Sequence, residues 1–205
     1  MTITPEELKR LALDPLPGDS PAGRDVRLEE DFVALQAEID RLSSMSGATG
    51  GVNWPLAQSL AYKILRESSK DILAAVYMAV AIGENEGPAS LGAQAGFLAD
   101  FVEAWWQTLL PPLKRLRARV NAIEWWRDRT IQLIQKYQGE PVAQEALDSA
   151  REALARLDGV LGAANENLPS IREVTKNLAA VPVAAAPPPP PTPPTSPAAR
   201  TDRRA

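Results

Sequence analysis

The chain has 205 residues, 45% of them hydrophobic, and a net charge of −4, which suits one globular domain and disfavours general nucleic-acid binding. It contains no cysteine or histidine, which excludes disulfides, thiolate nucleophiles, Cys/His metal sites and the commonest general base. No apolar run reaches the roughly 20 residues of a membrane span, and the acidic N-terminus is unlike a signal peptide, so the expected compartment is the cytoplasm.

Helix signals begin at Thr4. Pro5 suits the first helical position, and Glu7 can complete a capping box with Thr4, so a short helix begins here. It ends at residues 14–23, which are rich in turn formers. A second helix is expected over residues 28–44, because apolar residues recur there at helical spacing. Its predicted buried stripe is Phe32, Leu35, Ile39 and Leu42.

The third and fourth predicted helices meet at residues 68–71. Asn53 can cap a helix that begins at Trp54. The side chains expected to face inward from this helix are Leu60, Ile64 and Leu65. The fourth helix follows Asp71 and is apolar on most of its sides, which is typical of a helix in the middle of a bundle.

A fifth helix is expected over residues 90–109, and a sixth runs from Leu113 to Gly139. Pro111 and Pro112 separate them, because proline supplies no N–H and pushes its predecessor out of helical geometry. Together these two helices carry four of the five tryptophans and the densest basic cluster of the chain.

The sixth predicted helix has an apolar spine at three- and four-residue spacing. The spine consists of Leu113, Leu116, Val120, Ile123, Trp126, Thr130 and Ile134. Arg115 and Arg119 are expected to lie one turn apart, away from this seam. We therefore predict that this is the central helix of the domain and that it has an arginine-bearing flank.

Two further helices, over residues 141–161 and 170–178, complete the ordered part. No window shows sustained strand alternation, so we predict an all-α bundle of about seven to eight helices over residues 1–181. Residues 182–205 contain alanines, five consecutive prolines and a basic end, and we predict a disordered linker with polyproline II character. Such linkers join folded parts, so we expect a further domain after Ala205.

Three local patterns have both a chemical and a structural interpretation. Lys70 beside Asp71 could be an acid/base pair, but an aspartate at a helix start more simply complements the helix dipole. The acids at residues 29–31 could bind a cation, yet their place in a first helical turn needs no metal to explain it. Residues 47–51 lack the Lys-Ser/Thr ending of a phosphate loop. We expect no enzyme, no metal and no cofactor.

A basic cluster begins the sixth helix. It consists of Lys114, Arg115, Arg117 and Arg119. These residues could clamp phosphate or nucleic acid, but a solvated helix flank with buried or bridging arginines is the favoured interpretation. The Trp pairs at residues 105–106 and 125–126 could stack on bases. Adjacent helical residues point about 100° apart, so one of each pair is expected to pack inward and the other to lie at a helix junction.

A series of short motifs extends over residues 13–129, in register and without large gaps. It begins with PLPGDSPAGRD and an acidic helix, and it ends with RVNAIEW. We call its members the signature residues: Trp54, Ser69, Lys70, Asp71, Trp106, Pro111, Arg119, Asn121 and Trp125. This series resembles the ImpA-related N-terminal domain of the TssA family of bacterial type VI secretion systems.

The resemblance implies a non-enzymatic assembly component that acts with the baseplate, tube and sheath of the secretion apparatus. It also implies self-association through a C-terminal domain carried on a linker. The signature residues are expected to determine the fold first and to make contacts second. Asp71 is expected at a helix start, and Arg119 is expected to be partly buried and paired with a carboxylate or with helix-end carbonyls. Partner contacts are expected at Arg115 and Arg117 or in residues 43–51.

Two other functions stay open. One is an adaptor of another bacterial machine, which would bind partner helices in a groove beside the sixth helix. The other is a phosphate- or nucleic-acid-binding module that uses the flank at residues 115–119. No nucleic-acid partner is expected on the favoured interpretation.

Overall fold

The structure is a computed structural model that describes residues 3–43 and 51–185. The described residues contain eight α-helices and no strand, so the prediction of an all-α fold is confirmed. The helices are α1 (Pro5–Leu13), α2 (Glu30–Asp40), α3 (Trp54–Glu67), α4 (Ile72–Glu86), α5 (Leu91–Trp105), α6 (Leu116–Lys136), α7 (Gln144–Ala164) and α8 (Arg172–Leu178).

Local sequence signals set the starts of α1 and α3. The Thr4 hydroxyl accepts a hydrogen bond from the Glu7 N–H at 3.2 Å, and the Glu7 carboxylate accepts one from the Thr4 N–H at 2.9 Å. This is the predicted capping box. Asn53 caps α3 by accepting a hydrogen bond from the Leu56 N–H at 3.1 Å. Both caps satisfy backbone N–H groups that have no partner inside the helix.

The most buried helix is α4, and the prediction that α6 is central is wrong. Every residue of α4 from Ala74 to Gly83 is buried, and α4 packs against α3, α5 and α6. A helix that is apolar on most sides gains most when neighbours cover all of them. The helix α5 packs against α1, α4 and α7 and so links two parts of the bundle.

The predicted spine of α6 is buried only in its second half. Ile123, Trp126, Thr130 and Ile134 are buried, whereas Leu116 and Val120 are half-buried and Leu113 is 41% exposed. The first turn of the predicted helix is instead a separate 3-10 turn, Leu113–Arg115. Arg119 is fully buried, which exceeds the partial burial expected for it. The prediction that it lies away from the apolar spine, beside Arg115, is wrong.

The structure differs from two further predictions, one about α2 and one about the C-terminal segment. Leu42, predicted to lie on the buried stripe of α2, lies in a 3-10 turn after α2 and is 38% exposed. The first residues of the predicted linker pair with Val142, whose N–H donates to Pro182 O at 2.9 Å and whose carbonyl accepts from the Ala184 N–H at 2.8 Å. The rest of that linker, residues 186–205, and the predicted loop residues 44–50 lie outside the described residues.

Gly23 allows the chain before α2 to approach the end of α3, and its replacement should be costly. A Cβ added at Gly23, whose φ is +74°, would lie 2.2 Å from the Ser68 carbonyl oxygen. Gly18 has a φ of +106° but open space around it, so it serves as the matched control. We expect Gly18→Ala to lower the free energy of unfolding by about 1 kcal/mol, through backbone strain alone.

For Gly23→Ala we expect at least about 2 kcal/mol of further loss, because a backbone oxygen would have to move. Urea unfolding of the two variants measures the difference. Equal stabilities would show that the close approach at Gly23 contributes nothing.

Candidate functional site

The segment between α3 and α4, residues 68–71, is a crossing point of three parts of the chain. The Arg24 N–H donates to Ser68 O at 3.2 Å, and the Lys70 N–H donates to Ala22 O at 2.8 Å. On the other side, the Leu110 N–H donates to Lys70 O at 2.9 Å, and the Ile72 N–H donates to Leu110 O at 2.8 Å. We call residues 68–71 the α3–α4 junction. Its backbone ties the turn before α2 to the connection between α5 and α6.

Asp71 caps α4 and forms an ion pair across the bundle. Its carboxylate accepts a hydrogen bond from the Leu73 N–H at 2.7 Å. The Arg27 guanidinium donates to the two carboxylate oxygens at 2.9 and 3.1 Å. Asp71 is 1% exposed, and this burial raises its pKa, while the hydrogen bond from Arg27 opposes the rise. The carboxylate is thus held by a cation and a helix N-terminus.

Lys70 fastens the C-terminal ends of two helices. Its ammonium donates to the carbonyl oxygens of Leu11, in α1, at 2.9 Å and of Leu65, in α3, at 3.1 Å. It also lies 5.6 Å from the centre of the Trp105 ring. The Trp105 indole N–H donates to Ala12 O at 2.6 Å, so α1 is held by two side chains from elsewhere. Helix-end carbonyls attract cations because the helix dipole is negative there.

Lys70 should make stability depend on pH. Burial lowers the pKa of Lys70 to about 8, whereas the ordinary value is 10.5. Between these values the unfolded chain keeps the proton and the folded protein releases it, so the free energy of unfolding rises with pH. We expect this rise between pH 8 and 10.5 in the wild-type protein, and not in Lys70→Met.

Urea unfolding across that pH range measures this contribution as the difference between the two proteins. Other titrating groups cancel in the difference to first order. A difference that stays constant with pH would contradict the assignment.

Arg119 holds the connection between α5 and α6. Its guanidinium donates to three carbonyl oxygens, those of Pro111 at 2.7 Å, Leu109 at 2.6 Å and Trp106. It also stacks over the Trp106 ring, 4.8 Å from the ring centre. Burial lowers the pKa of Arg119 to about 10, so the guanidinium stays charged at neutral pH.

The connection between α5 and α6 is not helical, so its carbonyl oxygens depend on Arg119 for hydrogen bonds. The peptide bond between Leu110 and Pro111 is cis. The helix α5 ends at Trp105, so the carbonyls that follow have no further helical turn to donate to them. The planar fork of an arginine can serve three such acceptors at once, and a lysine cannot match this geometry.

The tryptophans of the signature pack inside the domain. Trp106 is buried, while Trp54 and Trp125 are half-buried and packed against the core. Trp125 meets the edge of the Tyr77 ring at 4.9 Å. The Arg129 guanidinium lies 5.9 Å from the centre of the Trp54 ring. These rings fasten α6 and the start of α3 to the core.

The exposed part of the basic cluster differs from Arg119. Lys114, Arg115 and Arg117 are exposed, and within the described residues their side chains form no hydrogen bond or ion pair. Asn121 is also exposed, and its side chain has no hydrogen-bond partner there. The structure therefore separates Asn121, Arg115 and Arg117 from the buried signature residues.

Sequence reasoning missed Arg27 as the partner of Asp71 and the carbonyls of Leu11 and Leu65 as the partners of Lys70. The Arg27 partner of Asp71 is 44 residues away, and no local pattern signals such a pair. Arg119, however, precedes Ile123 by four residues and Trp126 by seven, so helical spacing alone places it on the buried face. That spacing was the available signal for its burial.

The buried charged groups of the junction and Arg119 are committed to internal bonds, whereas the buried Ser69 hydroxyl has no hydrogen-bond partner among the described residues. The cations of Lys70 and Arg119 bind carbonyl oxygens, and Asp71 binds Arg27. Across residues 3–43 and 51–185, no group of three or more acidic side chains converges on a possible metal site. The helices in this part of the chain are all too short or too polar to cross a membrane.

Fold and site together define an all-α domain. Buried cations hold its helix ends, and the basic side chains before and at the start of α6 are exposed. A family model described as ImpA, N-terminal, type VI secretion system matches residues 13–128. Since this is more than half of the chain, the protein belongs to that family.

One solved structure supports the fold. It is the N-terminal domain, including the conserved ImpA_N region, of the TssA component of the type VI secretion system from Burkholderia cenocepacia. The match covers 88% of this chain and 91% of that one, with a TM-score of 0.62 and 20% identity. At this identity the likeness concerns the fold alone. A comparison with curated proteins gave no match.

Proposed function

We propose that this chain contains the N-terminal domain of a TssA-like assembly component of a type VI secretion system. It acts in the cytoplasm, without catalysis, together with the baseplate, tube and sheath. The observation that carries the proposal is the family match over residues 13–128. The same match makes an adaptor of an unrelated machine the weaker alternative.

A scaffold role agrees with the chemistry of the domain. The sequence contains no histidine or cysteine, and the buried charged groups at the α3–α4 junction are used to hold backbone and ion-pair partners. Such groups stabilise the fold but present no free nucleophile or base. Self-association of the full-length protein through a further domain stays a prediction.

Partner contact is assigned to the exposed side of the domain. Arg115 and Arg117 are free to bind, because their side chains have no partner among the described residues. Exposed cations add to association rate and specificity when they meet an acidic surface.

Titration of the labelled protein with purified baseplate, tube and sheath proteins of its own organism tests the proposal. We expect at least one of them to bind. Duplex DNA at low and high salt is the parallel measurement, since phosphate binding weakens steeply with salt. If none of the secretion proteins binds, the proposed function is wrong. Binding of DNA alone would favour the nucleic-acid alternative.

A further inference from the structure

A shallow groove lies on the outer side of α6. It has a volume of about 370 Å³ and runs along the first half of α6, with the turn after α7 at one side. The residues that line it are Leu116, Arg117, Val120, Asn121, Glu124 and Asn167. None of them belongs to the α3–α4 junction, so the groove is separate from the buried cluster.

The middle of the groove is apolar and only partly covered. Leu116 and Val120 are half-buried, and Leu113, one turn earlier, is 41% exposed. These residues belong to the helical spine that the core buries further along α6. The core therefore leaves the N-terminal part of an apolar stripe partly exposed to solvent, where further covering would be favourable.

Asn121 is the one signature residue that is exposed, and no internal contact of its side chain explains its place in the series. The other signature residues are buried or packed against the core, but Asn121 is exposed and lines the groove. Its amide carries two donors and an acceptor, and none is used within the described residues. An amide beside apolar side chains suits hydrogen bonding to a partner backbone.

The charges along the groove are arranged by sign. Arg117 and Glu124 line the groove, with Glu124 further along α6, and Lys114 and Arg115 lie in the 3-10 turn just before Arg117. Lys114, Arg115 and Arg117 have no side-chain partner among the described residues, and we call them the basic turn. The basic turn stands out from a chain whose net charge is −4. A partner that binds here must therefore bring carboxylates to the basic end of the groove and avoid them near Glu124.

We propose that this groove docks an amphipathic segment of a partner protein whose carboxylates meet the basic turn and whose apolar side chains cover Leu116 and Val120. Asn121 then hydrogen-bonds the segment and sets its register. This inference rests on the proposed function only for the class of the partner, a component of the secretion apparatus. A nucleic acid fits less well, because the few cations are followed by Glu124 and a phosphate chain would run past that carboxylate.

Two substitutions test the groove without disturbing the core. Asn121→Asp keeps the size of the side chain and adds a negative charge, and Arg117→Glu reverses a charge of the basic turn. Their matched controls are Gln138→Glu and Arg172→Glu, at exposed positions outside the groove. All four variants should melt as the wild type does, since surface substitutions of this kind change stability little.

The probe is whichever purified secretion protein binds the wild type in the titration described above. We expect Asn121→Asp and Arg117→Glu each to weaken its binding by about tenfold or more, and each control to bind within about twofold of the wild type. Arg117→Glu should also reduce the salt dependence of binding, because a charge contact is lost.

Each other outcome overturns the proposal in a recognisable way. If the secretion protein binds and the two groove variants bind as well as the controls, the groove is wrong and the proposed function stands. If the wild type binds none of the secretion proteins, the proposed function fails and the groove proposal fails with it. If duplex DNA binds and the groove variants abolish that binding, the partner chemistry is wrong.

Discussion

Replacing Arg119 by methionine is expected to lower the free energy of unfolding by about 3–5 kcal/mol. The change removes the donors to the carbonyls of Trp106, Leu109 and Pro111, and these carbonyls stay buried without a partner. Each unsatisfied buried acceptor costs about 1–3 kcal/mol. The three carbonyls together therefore lower the free energy of unfolding by several kcal/mol, even though methionine keeps the apolar part of the side chain.

The control for this variant lies on the same helix. Arg117→Met removes an exposed arginine two residues away and should change the free energy of unfolding by less than about 0.5 kcal/mol. Urea unfolding followed by circular dichroism compares the two. Similar midpoints for Arg119→Met and Arg117→Met would show that Arg119 does not hold the α5–α6 connection.

Replacing Asp71 by alanine is expected to cost about 2–4 kcal/mol. The cap of α4 is lost, and the Arg27 guanidinium loses its carboxylate partner. Arg27 is 29% exposed and can be partly rehydrated, which keeps the loss below that of a fully buried pair. Asp71→Asn separates the two effects, because asparagine also caps helices but carries no charge.

A double-mutant cycle with Arg27→Met measures the ion pair itself. We expect a coupling energy of about 1–3 kcal/mol between Arg27 and Asp71, and Asp71→Asn should be about 1 kcal/mol more stable than Asp71→Ala. A coupling energy near zero would mean that Asp71 acts on α4 alone and not across the bundle.

The sequence predicts those parts of the fold that depend on neighbouring residues. The caps at Thr4 and Asn53 and the break at Pro111 depend on residues within a few positions, and the apolar composition of α4 on most of its sides predicts its burial, so spacing and residue type are enough. Strand alternation can also be judged from short windows of the sequence. No window shows it, and the described residues contain no strand.

The junction could not be predicted because its contacts connect distant parts of the chain. Lys70 binds the Leu11 carbonyl across 59 residues, and Asp71 binds Arg27 across 44. Neither contact produces a periodic pattern in the sequence. Sequence reasoning expects Arg119 to be partly buried and to pair with a carboxylate or with helix-end carbonyls. It cannot name the carbonyls, because the fold brings them together only at the α5–α6 connection.

On the exposed side of α6, the prediction fails in the opposite way, because residues assigned to the buried spine are partly exposed. Leu113, Leu116 and Val120 continue the apolar spacing of the buried spine, but no described element covers them fully. Periodicity identifies which residues share a helix face, and it cannot tell whether that face meets the core or a partner. The sequence therefore allows a groove beside this helix, but only the structure shows which residues line it.

The measurement that tests the central claim most directly is release of tube protein into the medium by the bacterium that carries this chain. Deleting its gene should abolish the release, and the full-length wild-type gene should restore it. The gene with Arg117→Glu should restore it poorly at equal protein level, whereas Arg172→Glu should restore it fully. Undiminished release after deletion would contradict the assignment of this protein to the secretion apparatus.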